Sequence, residues 1–269
     1  MGNIKVAVVG ATGKMGSEVV RAVAAEADLT LVGAVGRTHV GEDIGEFAGL
    51  KELGVEIQDS LTAMLESKKP DVVVDFTFPG IVYENSRTIL EHNAYAVVGT
   101  TGLMPDQLKE LDALAREKGK AVLVAPNFAL GAILMMKFSQ MAAKFLENVE
   151  IIEYHHNGKL DSPSGTALKT AEMIAAVKDK LPQDDRKFYE KLPHARGGEM
   201  GDIHIHSVRL PGMVAHQEVI FGGKGQYVTI RHDSLNRESF MPGVIMAVRR
   251  IPQENGLIYG LDEIMDFEN

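Results

Sequence analysis

The chain contains no cysteine and no tryptophan in 269 residues. Without cysteine there can be no disulfide framework and no thiolate zinc site, which fits a reducing compartment. No apolar run approaches the ~20 residues needed to span a bilayer. Positive charge is also scarce: 28 Lys and Arg stand against 37 Asp and Glu, a formal net charge of −9. A general affinity for nucleic acid or anionic membrane is therefore not expected, and any anionic ligand must be held by a local cluster of positive groups. The opening M-G-N-I-K-V-A-V-V-G lacks a basic leader with a small-residue cleavage site and enters a strand almost at once. These absences together predict a soluble cytoplasmic protein. What is present is ordinary: 45% apolar and 24% charged residues, in a length that suits two modest domains.

The first half alternates strand and helix signals, with strands at 4–9, 29–35, 71–76, 95–98 and 121–124 and helices at 16–27, 60–67, 83–92 and 105–118. D-V-V-V-D-F, residues 71–76, is the continuous apolar run of a strand buried on both faces. Repeated β-α units with right-handed crossovers predict a doubly wound parallel sheet with ligands at the carboxyl ends of its strands. The glycine-bearing and polar turns at 10–16, 77–80, 99–102 and 125–128 fall at those ends. After Asn127 the pattern changes: a Met-rich helix over 130–146, a strand over 150–155, a helix over 166–177 and a polar loop over 178–200. Strands at 203–210, 214–222 and 226–233 follow, then helices over 240–250 and 257–267. The expected class is α/β: a Rossmann-like dinucleotide domain, 1–127 with 240–269 packing back on it, and an inserted α+β domain, 128–239, with a roughly four-stranded mixed sheet. One covering helix leaves a face of that sheet bare, so Ile203, Ile205, Val219, Phe221, Val228 and Ile230 need cover. Packing between subunits would supply it, and a homo-oligomer is expected, with cover by the 178–200 loop as the alternative.

G-A-T-G-K-M-G, Gly10 to Gly16, joins the first strand to the first helix. Glycines let backbone approach a pyrophosphate, and the helix start offers N–H groups and a positive dipole end. The spacing is GxxGxxG rather than GxGxxG, and no phosphoryl-transfer P-loop is present. NAD sites usually carry an acid near the end of the second strand. Here the sequence is V-G-R-T, where Gly36 has no carboxylate and Arg37 is a planar cation suited to a 2′-phosphate. NADPH is therefore expected to be favoured over NADH, with Arg37 as the main reader and Lys14 assisting at the phosphates.

The stretch E-Y-H-H-N-G-K-L-D-S-P-S-G-T, residues 153–166, crowds proton carriers and cations before a helix start. The N–H groups at Gly165 and Thr166 suit a carboxylate, and Lys159 with His155 and His156 adds cationic or donor groups. Two such features in one loop suit a dicarboxylate substrate, and His155 or its neighbour can exchange protons near neutral pH.

E-x-H-H-x-x-K-x-D-x-P-S-G-T resembles the signature of the 4-hydroxy-tetrahydrodipicolinate reductase (dihydrodipicolinate reductase) family. The likeness runs the length of the chain through G-A-T-G-K-M-G, D-F-T at 75–77, G-T-T-G at 99–102, A-P-N-F at 125–128, S-V-R-L-P-G and F-M-P-G-V. It implies reduction of the ring substrate by NAD(P)H with loss of water, in diaminopimelate and lysine biosynthesis, by a homotetramer. By the same resemblance His155 is the proton donor or acceptor and Lys159 the second proton donor, while His156 with Gly165 and Thr166 binds the substrate carboxylate. Cofactor contacts would fall at Gly10, Ala11, Thr12, Gly13, Lys14 and Met15, at Gly99, Thr100 and Thr101, and at Ala125, Pro126, Asn127 and Phe128. Some relatives carry Glu where this chain has Gly36, a departure that argues against a strong NADH preference.

His204, His206, His216 and His232 lie on neighbouring strands, but no acidic residue repeats beside them, and no metal is expected. Arg231, Arg237 and Lys224 form a basic cluster that suits surface or oligomer pairing, with a contact to cofactor phosphate across a subunit boundary as the alternative. Two other functions share some of these parts: a turnover-free NADP-binding sensor, which would not need His155, Lys159 and the helix start together, and a reductase of another imine or keto acid.

Overall fold

The structure is a computed structural model that describes residues 2–179 and 189–267. They divide into two compact units, 1–128 with 240–269, and 129–239. In the first, seven strands form a wholly parallel sheet: β1 (Ile4–Val9), β2 (Leu29–Val35), β3 (Ile57–Gln58), β4 (Val72–Asp75), β5 (Tyr95–Val98), β6 (Ala121–Val124) and β12 (Gly256–Tyr259). Their order is β12-β6-β5-β4-β1-β2-β3, so the chain reverses direction across the sheet between β1 and β4. Val72, Val73 and Val74 are wholly buried, as a strand with both faces covered requires. The helices of this unit are α1 (Lys14–Ala25), α2 (Ile44–Phe47), α3 (Leu61–Lys68), α4 (Val82–Glu91), α5 (Pro105–Lys118) and α8 (Met241–Arg250). In α1 the buried Gly16, Val19, Val20 and Val23 recur at helical spacing and form its inner stripe. Arg249 of α8 bonds Glu26 and Asp28 just beyond α1, which fastens the returning C-terminal segment.

That segment corrects one expectation. Residues 257–267 are not a helix: Gly256–Tyr259 is a strand, and Leu261–Ile264 is a 3-10 turn. The cause is tertiary. Ala121, Val122, Leu123 and Val124 of β6 are buried, and without β12 their backbone would form an open sheet edge. On its other side β12 is met by α5, whose Asp112 Oδ1 accepts the Leu257 N–H at 2.7 Å.

Among its described residues the second unit holds five strands rather than four: β7 (Asn148–His155), β8 (Gly198–Met200), β9 (Ile203–Arg209), β10 (Ala215–Gly223) and β11 (Gln226–Ser234), in the order β11-β10-β7-β9-β8. The sheet is mixed, since β7 and β9 run parallel while the other pairs are antiparallel. The added strand, β8, lies inside the stretch expected to be loop; residues 180–188 of that stretch fall outside the described residues. Two helices, α6 (Leu130–Ala142) and α7 (Gly165–Ala175), cover one face. Gln217 Nε2 donates to Thr170 Oγ1 of α7 at 2.8 Å, which identifies that face. Alternation then puts Val219 and Phe221 on it, and register adds Ile151, Ile205, Val149 and Ile203.

The bare-face expectation is corrected here. Ile203, Ile205, Val219 and Phe221 are buried within the chain by α6 and α7, so they need no partner, while Val228 stays exposed and Ile230 half-buried. The opposite face carries Ile152, Tyr154, Val208 and Ile220 together with charged groups. Tyr154 donates to Glu218, Arg231 pairs with Asp233 and Glu218, and His206 and Arg196 both reach Glu150. Acidic residues therefore do stand beside His206 and His216, brought there by cross-strand pairing that their sequence spacing does not show.

Candidate active site

In the nucleotide-type unit the loops at the carboxyl ends of β1, β2, β4, β5 and β6 carry the expected residues. Gly10 has φ +76°, and a Cβ there would lie 2.6 Å from the Phe76 carbonyl oxygen, so only glycine lets the loop pass this close. Gly13 caps α1 without any side-chain hydrogen bond, which leaves the helix start to backbone N–H groups. Ala11 is buried, Thr12 and Met15 half-buried, and Gly13 and Lys14 exposed.

Buried Asp75 joins the neighbouring loops. Its carboxylate accepts from the Thr77 N–H and hydroxyl, from Asn85 and from Thr100. Gly99 is required by the Phe76 ring, which a Cβ would meet at 2.1 Å. Thr101 and Pro126 are exposed, Ala125 is buried, Asn127 is half-buried, and Phe128 packs tilted against Phe76 at 5.8 Å. The Arg37 guanidinium lies over the Phe78 ring, 4.9 Å from its centre. Thr38 bonds Thr12, and a Cβ on Gly36 would meet the Thr12 side chain at 2.8 Å. Arg37, Gly36 and Thr12 thus form one corner beyond β2.

In the second unit the stretch 153–166 folds around a buried carboxylate. Glu153 and His155, two apart on β7, point to the same side, and His155 Nδ1 meets Glu153 Oε2 at 2.5 Å. Arg209, opposite His155 on β9, grips the same carboxylate with two bonds of 2.8 Å. Ser164 gives its N–H to Glu153 Oε1 at 3.2 Å, and its own hydroxyl caps α7 by accepting the Ala167 N–H. Arg209 also donates to the Asp161 carbonyl oxygen at 2.7 Å, closing the loop between β7 and α7, in which the Ser162–Pro163 peptide is cis. Lys159 Nζ lies 2.8 Å from Asp161. His156 and Gly165 are exposed, and Thr166 is half-buried in the first turn of α7.

Electrostatics follow from that geometry. Burial pushes the Glu153 carboxyl up, but hydrogen bonds from His155, Arg209 and Ser207 outweigh it and hold the group down to about 2. The same pairing raises Arg209, and the Lys159 ammonium lowers Asp161.

Residues 4–128 match the family described as Dihydrodipicolinate reductase, N-terminus, and residues 131–265 match Dihydrodipicolinate reductase, C-terminus. The chain belongs to the dihydrodipicolinate reductase family. It is 52% identical to the 4-hydroxy-tetrahydrodipicolinate reductase of Listeria innocua, over 98% of this chain and 100% of that one. To the enzyme of the same name from Syntrophomonas wolfei it is 48% identical, over 97% of this chain and 98% of that one. A dipicolinate-bound dihydrodipicolinate reductase from Paenisporosarcina sp. TG-14 superposes with a TM-score of 0.87 at 43% identity, over 98% of this chain and 100% of that one. An amine dehydrogenase from Mycobacterium smegmatis, at a TM-score of 0.71 and 16% identity over 99% of this chain and 97% of that one, shares the fold.

In this family member His155 ends β7, His156 and Lys159 lie in the loop that follows, and Gly165 and Thr166 open α7. It also adds two residues to which the sequence reading gives no role. Glu153 could have been found from the period of two along a strand, which puts it beside His155. Arg209 lies in the S-V-R-L-P-G stretch, but its approach to Glu153 depends on the parallel pairing of β7 with β9.

The Glu153 network makes a prediction. The folded carboxyl titrates at about 2 against 4.5 for the ordinary group. A depressed acid stabilises fully above the unfolded value and loses that contribution as pH falls toward the folded one. Urea midpoints of the wild type should therefore drop from about pH 5 down to about pH 2. Glu153→Gln, with no carboxyl to protonate, should show a shallower decline; equal slopes would remove the pairing as a source of acid lability.

Proposed function

We propose that the chain reduces 4-hydroxy-tetrahydrodipicolinate to tetrahydrodipicolinate, with loss of water and with NAD(P)H as reductant, in diaminopimelate and lysine biosynthesis. The observation that carries this reading is full-length identity of 52% to a reductase of that name. The two half-sites support it. Gly10, without a Cβ, and the start of α1, without a side-chain cap, fit a pyrophosphate. Residues Gly10 to Met15, Gly99 to Thr101 and Ala125 to Phe128 would hold the nucleotide. Held there, the nucleotide would supply the hydride for reduction of the substrate ring.

The chain's own residues handle carboxylate and proton. His156, Lys159 and the N–H groups of Gly165 and Thr166 offer positive groups to a carboxylate at a helix start. As negative charge grows toward the ring nitrogen, nearby cations stabilise it. His155 gives Nδ1 to Glu153, which leaves Nε2 to deliver the proton, with Lys159 as the second donor. We assign NADPH as the preferred cofactor: Gly36 offers no carboxylate to a ribose, and Arg37 stands over Phe78 as a planar cation. We further propose a soluble, cytoplasmic homotetramer assembled through the sheet face that bears Ile152, Tyr154, Val208 and Ile220. The substrate partner is a small dicarboxylate, with no nucleic acid or membrane involved; no helix among the described residues is long and apolar enough to cross a membrane.

The deciding assay follows NADPH absorbance with ring substrate made in situ from pyruvate and aspartate semialdehyde by the upstream synthase. Oxidation that depends on the chain is expected, and its absence overturns the reading. His155→Gln should lower turnover on the order of 10²–10⁴-fold with little change in cofactor affinity; unchanged turnover removes His155 from the reaction. Arg37→Ala should weaken NADPH far more than NADH, whereas an equal loss would deny Arg37 its role at the 2′-phosphate. Sedimentation should give the mass of four chains, and a monomer would rule out assembly through the sheet face.

A further inference from the structure

Glu153 receives more donors than charge balance requires. Arg209 alone neutralises it, with one bond to each carboxylate oxygen. Yet His155 Nδ1 adds a bond of 2.5 Å to Oε2, and the Ser164 N–H adds one of 3.2 Å to Oε1. The Glu153 side chain is wholly buried and that of His155 is 15% exposed, so the imidazole is held at its inner nitrogen and open only beyond it. A carboxylate only accepts hydrogen bonds, so a neutral ring beside it must carry its proton on Nδ1.

We propose that Glu153 is a positioning residue of the reaction: it fixes His155 with Nδ1 protonated and Nε2 as the working nitrogen, and the same carboxylate anchors the helix start beside it. The proposal rests on the reading of His155 as proton donor. Its physical basis is the orienting carboxylate, which selects one tautomer and one ring orientation through the far nitrogen. The Ser164 bond gives the clamp a second consequence: the proton donor and the first turn of α7 are referenced to one rigid group and keep their spacing. In Glu153→Gln, Arg209 claims the amide oxygen, so the amide NH2 faces His155. Nδ1 must then accept, the proton of the neutral ring moves to Nε2, and the ring can no longer hold protons on both nitrogens, the form that delivers one from Nε2 and keeps the other at Nδ1.

The test uses full-length protein labelled with 15N-histidine, the His155 ring being assigned by its loss in His155→Gln. The wild-type neutral ring should show the Nδ1–H pattern of nitrogen shifts; an Nε2–H pattern overturns the proposal and needs no further variant to do so. Glu153→Gln should switch the ring to Nε2–H and lower kcat on the order of 10–100-fold, with the KM for NADPH unchanged. A switched ring with unchanged kcat overturns the positioning role. In a His155→Gln background the same change should cost less than about threefold more, because residues acting as a unit are not additive. A full repeat of the loss there would make Glu153 a structural ion pair and overturn the proposal. Unchanged turnover in His155→Gln alone sinks the proton-donor reading and this proposal with it, whereas an Nε2–H ring in an enzyme slowed by His155→Gln sinks only the latter.

Discussion

One buried carboxylate organises the second unit. Taking Glu153 out of water unpaired would be prohibitive, and such a group would neutralise instead. It stays charged because Arg209, His155, Ser207 and the Ser164 N–H converge on it. Those donors come from β7, from β9 and from the start of α7. Deleting one side of such a buried pair typically costs about 3–5 kcal/mol, since the remaining charge is stranded. The junction of two strands and a helix is therefore rigid, and it is the junction that carries His155. The Arg209 bond to the Asp161 carbonyl oxygen extends the same rigidity to the loop that holds Lys159.

The covered sheet face explains how one element provides both stability and chemistry. Phe221 and Val149 lie in one cross-strand row, and Val219, Ile151, Ile205 and Ile230 in the next. These rows are apolar and supply the burial that holds α6 and α7 in place. One row further along, Ser207, Glu153, Gln217 and His232 stand side by side, and beyond them Arg209, His155, Ala215 and Ser234. His232 is pushed down by burial and so tends to stay neutral beside Gly131 of α6. Polar residues at strand positions that would otherwise complete a core break the local rule for a core strand, and such breaks concentrate where function is carried.

What the sequence made legible follows the range of the interactions. The β-α alternation, the Gly10 loop and the crowded 153–166 stretch are local patterns, and each strand or helix there lies within a few residues of its expected bounds. The Glu153–His155 pairing was also within reach, since a strand alternates every two residues. The larger errors come from non-local pairing, whereas the missed β8 is a short local hairpin with β9. Residues 256–259 are a strand because β6 has a free edge, and nothing within 257–267 signals that. Residues Ile203, Ile205, Val219 and Phe221 need no second subunit, because the cover from both α6 and α7 is a tertiary fact that the strand pattern does not show. Arg209 reaches Glu153 only through a parallel register between segments 56 residues apart.

Two helix starts lie in the two halves of this chain, and they are built differently. At α1 the cap is Gly13, with no side-chain bond and with a loop that passes so near Phe76 that Gly10 must be glycine. At α7 the cap is Ser164, whose hydroxyl takes one N–H and whose own N–H is tied to Glu153. A glycine start exposes backbone and lets a broad anion come close, which suits a pyrophosphate. A serine start gives up one donor to its own cap and gains fixed position, which suits a small planar acid that must be presented to a proton donor within a fraction of an ångström. Under the proposed reaction the first helix start needs access and the second needs placement, and the side chains at the two caps differ in that sense.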